Sequence, residues 1–422
     1  MTTPDLPTTP GANWAGNYTY RAARLVRPTS PGEIPSLVSA GGPVRVIGSR
    51  HSFNDIADTT GTLISLEDID PSIEIDEEAR TATFSAGIRY GELAEHLHAA
   101  GWAIHNLASL PHISVAGAVA TGTHGSGDAN GNLATAVRSI EFVDGTGTVV
   151  RLSRGDADFD GAVVGLGAFG VVTRMTLDIE PTFEVRQDVF TGMSWENLLA
   201  NYDAVTSSAY SVSVFTNWSD ATLGSVWLKS RVDAGPVPEE LFGAVRETAD
   251  LHPLPDQPAG NTTVQGGVPG PWSDRLSHFK LGFTPSNGDE IQSEYLLPRT
   301  EALTAIAALR EIADRISPLL LISELRSMAA DDLWLSGAYG RDTVAIHFTW
   351  KMLPDEVRAI LPEIEKRLLP LGARPHWGKV FTADSAQLAP LYPKLADFRA
   401  LVHKYDPDRV FGNDFLGRTI GI

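Results

Sequence analysis

The pattern of apolar and polar positions changes near Pro181. Before it, short apolar runs between glycine-rich turns predict strands at Val44–Ile47, Thr62–Leu66, Ala82–Ala86 and Ser139–Val143. The last of these turns at Asp144–Gly145 into a strand over Thr148–Leu152. One helix, Tyr90 to Ala100, carries Leu93 and Leu97 on one face and is stopped by Gly101. Beyond Pro181 the chain is loose between about 230 and 290, with Gly266–Gly267 and Pro269–Gly270–Pro271. Two helices then stand out. The first opens at Thr300 as N-cap, with Leu303, Ile306, Leu309, Ala313 and Ile316 on one face. The second runs from Asp355 to Leu369, with Val357, Ile360, Leu361, Ile364 and Leu368 at helical spacing. Around them, Leu319–Arg326, Thr343–Trp350 and Lys379–Thr382 read as strands, so an α+β second domain is expected over 181–380.

Length fits this division, because 422 residues exceed one core and suggest two or three domains of roughly 150 residues. A net charge of −19 opposes nucleic acid and anionic membrane surfaces as partners, and fits a neutral or cationic small substrate. No apolar stretch approaches the ~20 residues that span a bilayer. The N-terminal MTTPDLPTTPGANW lacks the basic and apolar regions of a secretory signal. A cytoplasmic protein, monomeric or a small oligomer, is therefore expected, with the sequons at Asn17, Asn217 and Asn261 as chance matches. Cysteine is absent, which removes disulfides, thiolate nucleophiles, cysteinyl cofactor links and Cys-bearing metal sites.

Two motif matches carry nothing. Gly165–Gly170 satisfies G-x-G-x-x-G, but the residues after it, Val171 to Leu177, alternate like a strand, and a dinucleotide site needs a helix there. Asp156–Gly161 imitates the start of a calcium loop, yet Gly167 occupies the position of the bidentate Glu.

Two segments suit a phosphorylated cofactor. One is the strand and small-residue turn Arg45–Asn54, containing Ile47, Gly48, Ser49, Arg50, His51 and Ser52. The other is Ser109–Gly127, containing Ser114, Gly117, Ala118, Val119, Ala120, Gly122, Thr123 and His124. Small residues let the backbone approach a pyrophosphate, whose oxygens accept from successive N–H groups. Composition alone leaves plain tight turns open as an alternative.

With Asn13-Trp14-Ala15-Gly16-Asn17 and His376-Trp377-Gly378-Lys379, these segments resemble the vanillyl-alcohol-oxidase superfamily of FAD enzymes. Within it the resemblance is to the branch of alditol and aldonolactone oxidases, over nearly the whole chain after residue 12. It implies an FAD-binding domain over 13–180, made of two α+β subdomains. A substrate domain over 181–380 caps the flavin, and residues 381–422 return to the first domain. It implies FAD bound covalently through His51. His124, in an equally glycine-rich turn, is the rival for the link and otherwise a spacing or phosphate-adjacent residue. His112 would support the segment. Val171, Ser109 and His376 join the cofactor contacts on the same resemblance. Many relatives carry Gly where this chain has Arg50, so a side chain there is expected to alter the turn or touch the cofactor.

On the substrate side, Ile322, Glu324 and Arg326 share one face of their strand, and His347 and Thr349 share one face of theirs. A half-exposed sheet would produce the same pattern. The resemblance instead implies that Glu324, Arg326, Thr349 and Lys379 hold polyol hydroxyls, with Ser109 on the flavin side. Buried ions of this kind must pair to avoid a penalty of several kcal/mol each, and His347 is expected to orient Glu324. The expected reaction oxidises a primary alcohol of xylitol or sorbitol to the aldose. O2 goes to hydrogen peroxide, Lys379 and Arg326 steady the negative charge, and Glu324, or His347 through it, takes the proton. An aldonolactone oxidase or dehydrogenase is the nearest alternative. A non-catalytic sugar-binding protein using the nine Trp as stacking platforms is a reading from another class. A zinc hydrolase lacks ligand spacing among the eleven His.

Overall fold

The computed structural model describes residues 10–254, 257–282 and 289–422. Three strands, β1 (Arg24–Val26), β2 (Val44–Ile47) and β3 (Thr62–Ser65), form a parallel sheet in the order β1–β3–β2. β3, the central strand, is buried throughout, as the middle of a parallel sheet covered on both faces should be. A five-stranded antiparallel sheet follows, built from β4 (Glu74–Asp76), β5 (Thr81–Ser85), β6 (Val137–Asp144), β7 (Val149–Ser153) and β8 (Gly170–Asp178), ordered β4–β5–β8–β6–β7. β8 begins directly at the last glycine of the G-x-G-x-x-G match, so no helix follows that motif.

The second half holds a ten-stranded sheet. At its centre β9 (Ser211–Thr216), β10 (Glu290–Pro298), β11 (Leu320–Met328) and β12 (Thr343–Lys351) run antiparallel in the order β9–β11–β12–β10. One face packs on the helices Ala302–Arg310 and Pro354–Leu368 through Ile346, Phe348, Trp350, Ile306 and Ile364. Register fixes the other face. Glu324, His347 and Glu294 lie on one rung of β11, β12 and β10, and Ile322, Thr349 and Gln292 lie on the next. The two-residue side-chain period then turns all six to the same side.

Three local expectations are corrected. Thr300 is not an N-cap: a 3-10 turn over Arg299–Glu301 leads into the helix, no side chain caps it, and Leu303 points to solvent at 45% exposure. The helix also breaks after Arg310, restarting at Ala313. Lys379–Thr382 is not a strand. The Val380 N–H reaches Gln292, but the Thr382 N–H goes to the Glu365 carboxylate, so no ladder propagates. At the C-terminal end, the helices Leu395–Tyr405 and Asp414–Ile420 bury Phe398, Leu401, Phe415 and Ile420 in the core that contains Phe84, Phe142 and Leu177 of the five-stranded sheet. No helix among the described residues is long and apolar enough to cross a membrane.

Candidate active site

A cavity of about 300 Å³ runs between the first two sheets and the polar face of the ten-stranded sheet. At one end the turn after β2 and the segment after Ser109 are joined. Ser49 Oγ accepts from the Ser114 N–H at 2.9 Å, and the Ser49 N–H donates back to Ser114 Oγ at 3.4 Å. A Cβ on Gly48 or Gly117 would collide with the Ser114 hydroxyl, so the backbones meet here only because both residues are glycine. Ile47, Gly48, Ser49, Arg50, His51, Ser52, Ser114, Gly117, Ala118 and Ala120 all line the wall.

The His51 ring is stacked on Trp14, with centroids 4.9 Å apart and planes at 20°. Its Nδ1 lies 2.9 Å from the Ser49 carbonyl, which can only accept, so Nδ1 carries the proton. Burial, and then the neighbouring His112, push the His51 pKa down to about 3, leaving a neutral ring. Its Nε2 is buried without a partner among the described residues. An unprotonated nitrogen in a small-residue cavity is what a cofactor bonded to His51 would require, so the wall fits the flavin that the sequence resemblance implies. His112 stands 5.0 Å away, ring to ring, outside the cavity lining.

Three of the expected cofactor residues are placed elsewhere. Val119 and Val171 are buried in apolar clusters, and the Gly122 turn lies behind the wall. Strand alternation explains Val171: its neighbours Gly170 and Val172 face the cavity instead. Arg45 was missed. Its guanidinium is buried and donates to the carbonyls of Ile56, Leu166, Gly167 and Phe411, so it ties the G-x-G-x-x-G loop to the wall.

The other end is polar. Glu324, Arg326, His347, Thr349, Lys379, Ser109, Thr123, His124 and His376 all face it. Its centre is a residue that sequence reasoning passed over, Glu294. Glu294 Oε1 accepts from Arg326 Nη2 at 2.8 Å, and Oε2 accepts from Lys379 Nζ at 2.6 Å. His124 Nε2 stands 3.3 Å from Oε1, so His124 joins this cluster. Burial alone would raise the Glu294 carboxyl, but Lys379, His124 and Arg326 outweigh it and hold it well below the usual range. The alternation Glu290, Gln292, Glu294 along β10 was the available signal.

Glu324 is oriented by His278, whose Nε2 is 2.9 Å from Oε1, and not by His347. Arg326 Nε lies 3.6 Å from the same oxygen. The Lys379 ammonium instead donates to His347 Nδ1 at 2.7 Å, which places the ring proton on Nε2, 2.9 Å from Thr349 Oγ1. That bond occupies a lone pair of Thr349 and leaves its own O–H free to donate. Within this cluster the carboxylates of Glu294 and Glu324 are each met by a cation, and Glu290 lines the same cavity beside Gln292.

His278, His347 and His376 are all held below the ordinary histidine pKa, mainly by burial; for His347 burial and Lys379 bring it to about 4. A proton excluded from the native ring is accepted by the unfolded one. The stability His347 contributes in this way is therefore complete above about pH 6.5 and falls as acid approaches pH 4, by up to ~1.4 kcal/mol per pH unit, and His278 and His376 act in the same direction. Urea midpoints at pH 7, 6 and 5 are expected to fall in that order; a flat series would contradict the neutral assignments.

A model of the FAD binding domain family matches residues 22–153, and a model of D-arabinono-1,4-lactone oxidase matches residues 286–419. An alditol oxidase from a Streptomyces species is 48% identical over 96% of this chain and 97% of its own. An L-gulono-1,4-lactone dehydrogenase of Mycobacterium tuberculosis is 29% identical over 97% of this chain and 99% of its own. Among solved structures, a cholesterol oxidase from Brevibacterium sterolicum covers 100% of this chain and 99% of its own with a TM-score of 0.80; at 16% identity it speaks for the fold alone.

Proposed function

Because the chain belongs to the alditol oxidases of the vanillyl-alcohol-oxidase-type FAD superfamily, we propose that it oxidises a terminal hydroxymethyl group of a small polyol, such as xylitol or sorbitol, to the aldose. Dioxygen is the electron acceptor and leaves as hydrogen peroxide. The observation that carries this reading is the ion-paired cluster Lys379–Glu294–Arg326 with Glu324, which lines the same cavity as the His51 nitrogen that is unpartnered among the described residues. A substrate with many hydroxyls matches a site rich in donors and acceptors whose central cations and carboxylates are already paired with one another.

In this reading residues 13–180 hold FAD, residues 181–380 supply the substrate wall, and the C-terminal helices brace the first part. Ile47 to Ser52, Ser114, Gly117, Ala118, Ala120, Thr123 and His376 hold the cofactor, and His51 carries it covalently. When bound, FAD supplies the acceptor for the hydride that leaves the carbinol carbon. The protein's part is positional and electrostatic. Arg326, Lys379 and the Thr349 hydroxyl donate to substrate oxygens, and Ser109, bonded to Arg326 at 3.3 Å, faces them from the opposite wall. The ammonium has no free lone pair, so Lys379 must first give a proton to His347 Nδ1, 2.7 Å away, before Nζ takes the substrate hydroxyl proton as hydride departs. Glu294, 3.8 Å from Nδ1, opposes the burial and the Lys379 charge that keep the resting ring neutral. Glu324 is a poor base, since Arg326 and His278 overcome its burial and hold its carboxyl far below the normal range.

The test is a panel of xylitol, sorbitol, shorter polyols and aldonolactones, assayed with oxygen and with an artificial acceptor. Polyol-dependent peroxide is expected. Lactone turnover in its place would favour the alternative that the lactone oxidase match over 286–419 keeps in view. A second expectation concerns the link: acid-precipitated protein retains its yellow colour, and His51→Ala releases all of it. Colour released from the unsubstituted protein would remove the covalent bond and leave the flavoenzyme.

A further inference from the structure

Residues 11–20 fold back on themselves. The Asn13 N–H donates to the Tyr18 carbonyl, the Tyr20 N–H donates to the Gly11 carbonyl, and Ala12 bridges Thr19. This hairpin lies ahead of the matched FAD-binding segment, which begins at residue 22. Nevertheless it is bonded to the His51 turn at four points. The Trp14 N–H donates to the Arg50 carbonyl at 2.8 Å. Asn13 Nδ2 donates to the Ser52 carbonyl at 2.9 Å, and Asn17 Nδ2 to the Phe53 carbonyl at 2.8 Å. In the reverse direction, Arg50 Nη1 donates to the Pro10 carbonyl at 2.5 Å and lies 3.4 Å from that of Ala12.

Arg50 makes these bonds from a left-handed backbone, at φ 63, where a side chain is disfavoured and glycine is at ease. A turn needing only that shape would be better served by glycine, so the guanidinium is what the position gains. The hairpin in turn contributes two groups to the cavity end. Trp14 lies flat on His51, and Tyr20 lines the wall with its hydroxyl buried and unpartnered among the described residues.

We propose that hairpin 11–20 is a latch of the cofactor site: Arg50 clamps it down, and Trp14 then fixes the His51 ring so that its free nitrogen faces the flavin. Arg50 and Trp14 are positioning residues in this scheme. The inference rests on the covalent reading for the chemistry it accelerates. There, the imidazole nitrogen replaces one hydrogen of the flavin 8-methyl group, and the N–H proton is also lost. The two electrons released reduce the isoalloxazine, and dioxygen then takes them to hydrogen peroxide.

The test compares Arg50→Gly, Trp14→Leu and Trp14→Phe with the unsubstituted protein, each made in riboflavin-limited cells and then given FAD. Acid-stable flavin is followed with time, together with the melting temperature. Arg50→Gly, which loses one or two net hydrogen bonds, and Trp14→Leu, which loses the ring stacked on His51, are each expected to attach flavin roughly tenfold more slowly. Trp14→Phe should restore most of the rate. Arg50→Gly relieves the backbone, so a slower attachment at an unchanged melting temperature separates the latch from simple misfolding. Attachment as fast and complete in both variants as in the unsubstituted protein would overturn the latch while the link stands. So would a lowered melting temperature with normal attachment. If the unsubstituted protein itself releases its flavin, the covalent reading fails, and the latch is then read from FAD dissociation on dilution. Loss about tenfold faster from Arg50→Gly and Trp14→Leu supports it, and equal rates overturn it.

Discussion

Lys379→Met is expected to slow anaerobic reduction of the flavin by xylitol by about 10²–10³-fold, the usual effect of removing a preorganised donor from a developing oxyanion. Methionine keeps the stem and its packing but removes the ammonium that meets both Glu294 and His347. Two losses coincide. The alkoxide forming as hydride leaves has one cation fewer, and the proton has no route from the substrate hydroxyl to His347. Arg326 and Thr349 remain, so the substrate concentration giving half-maximal reduction should change far less than the limiting rate. Stopped-flow measurement of flavin bleaching checks both quantities. A limiting rate within a few-fold of normal would remove Lys379 from the chemistry.

Glu294→Gln is expected to cost stability as well as activity. The carboxylate is 1% exposed and is the common partner of the buried Arg326 and of Lys379, which is 13% exposed. The amide preserves shape but leaves two cations facing one remaining carboxylate, Glu324, which lies 3.6 Å from Arg326. Removing one partner of a buried pair typically costs ~3–5 kcal/mol, because the surviving charge stays desolvated. Urea unfolding of the two proteins at pH 7 measures it. A difference below about 1 kcal/mol, the range of exposed pairs, would mean that water or another anion compensates the cluster.

The strands that carry this site were legible because their side chains alternate. In β11 and β12 the polar positions Glu324, Arg326, His347 and Thr349 fall on one face, opposite Leu325, Ile346, Phe348 and Trp350, and the sheet is built with that division. The same rule applied to β10 would have brought in Glu294, but the strand follows a loose stretch and reads weakly on its own. His278 gave no signal. It lies outside regular structure, and it reaches Glu324 because the Ser109 carbonyl accepts its backbone N–H while Nζ of the buried Lys229 donates to the neighbouring Ser277 carbonyl.

By itself, then, the sequence determined which residues share a face, where the glycine-rich turns lie and which chemistries a chain without cysteine lacks, since these follow from local period and composition. Pairing was decided only by the tertiary structure. Whether His347 meets Glu324 or Lys379, and whether Val171 or Val172 faces the cavity, depends on strand register and on which side of each sheet is covered. Those are set by contacts between segments hundreds of residues apart, such as Arg45 with Phe411 and Arg326 with Ser109. No local pattern encodes them, because each such contact is a property of two chain segments at once.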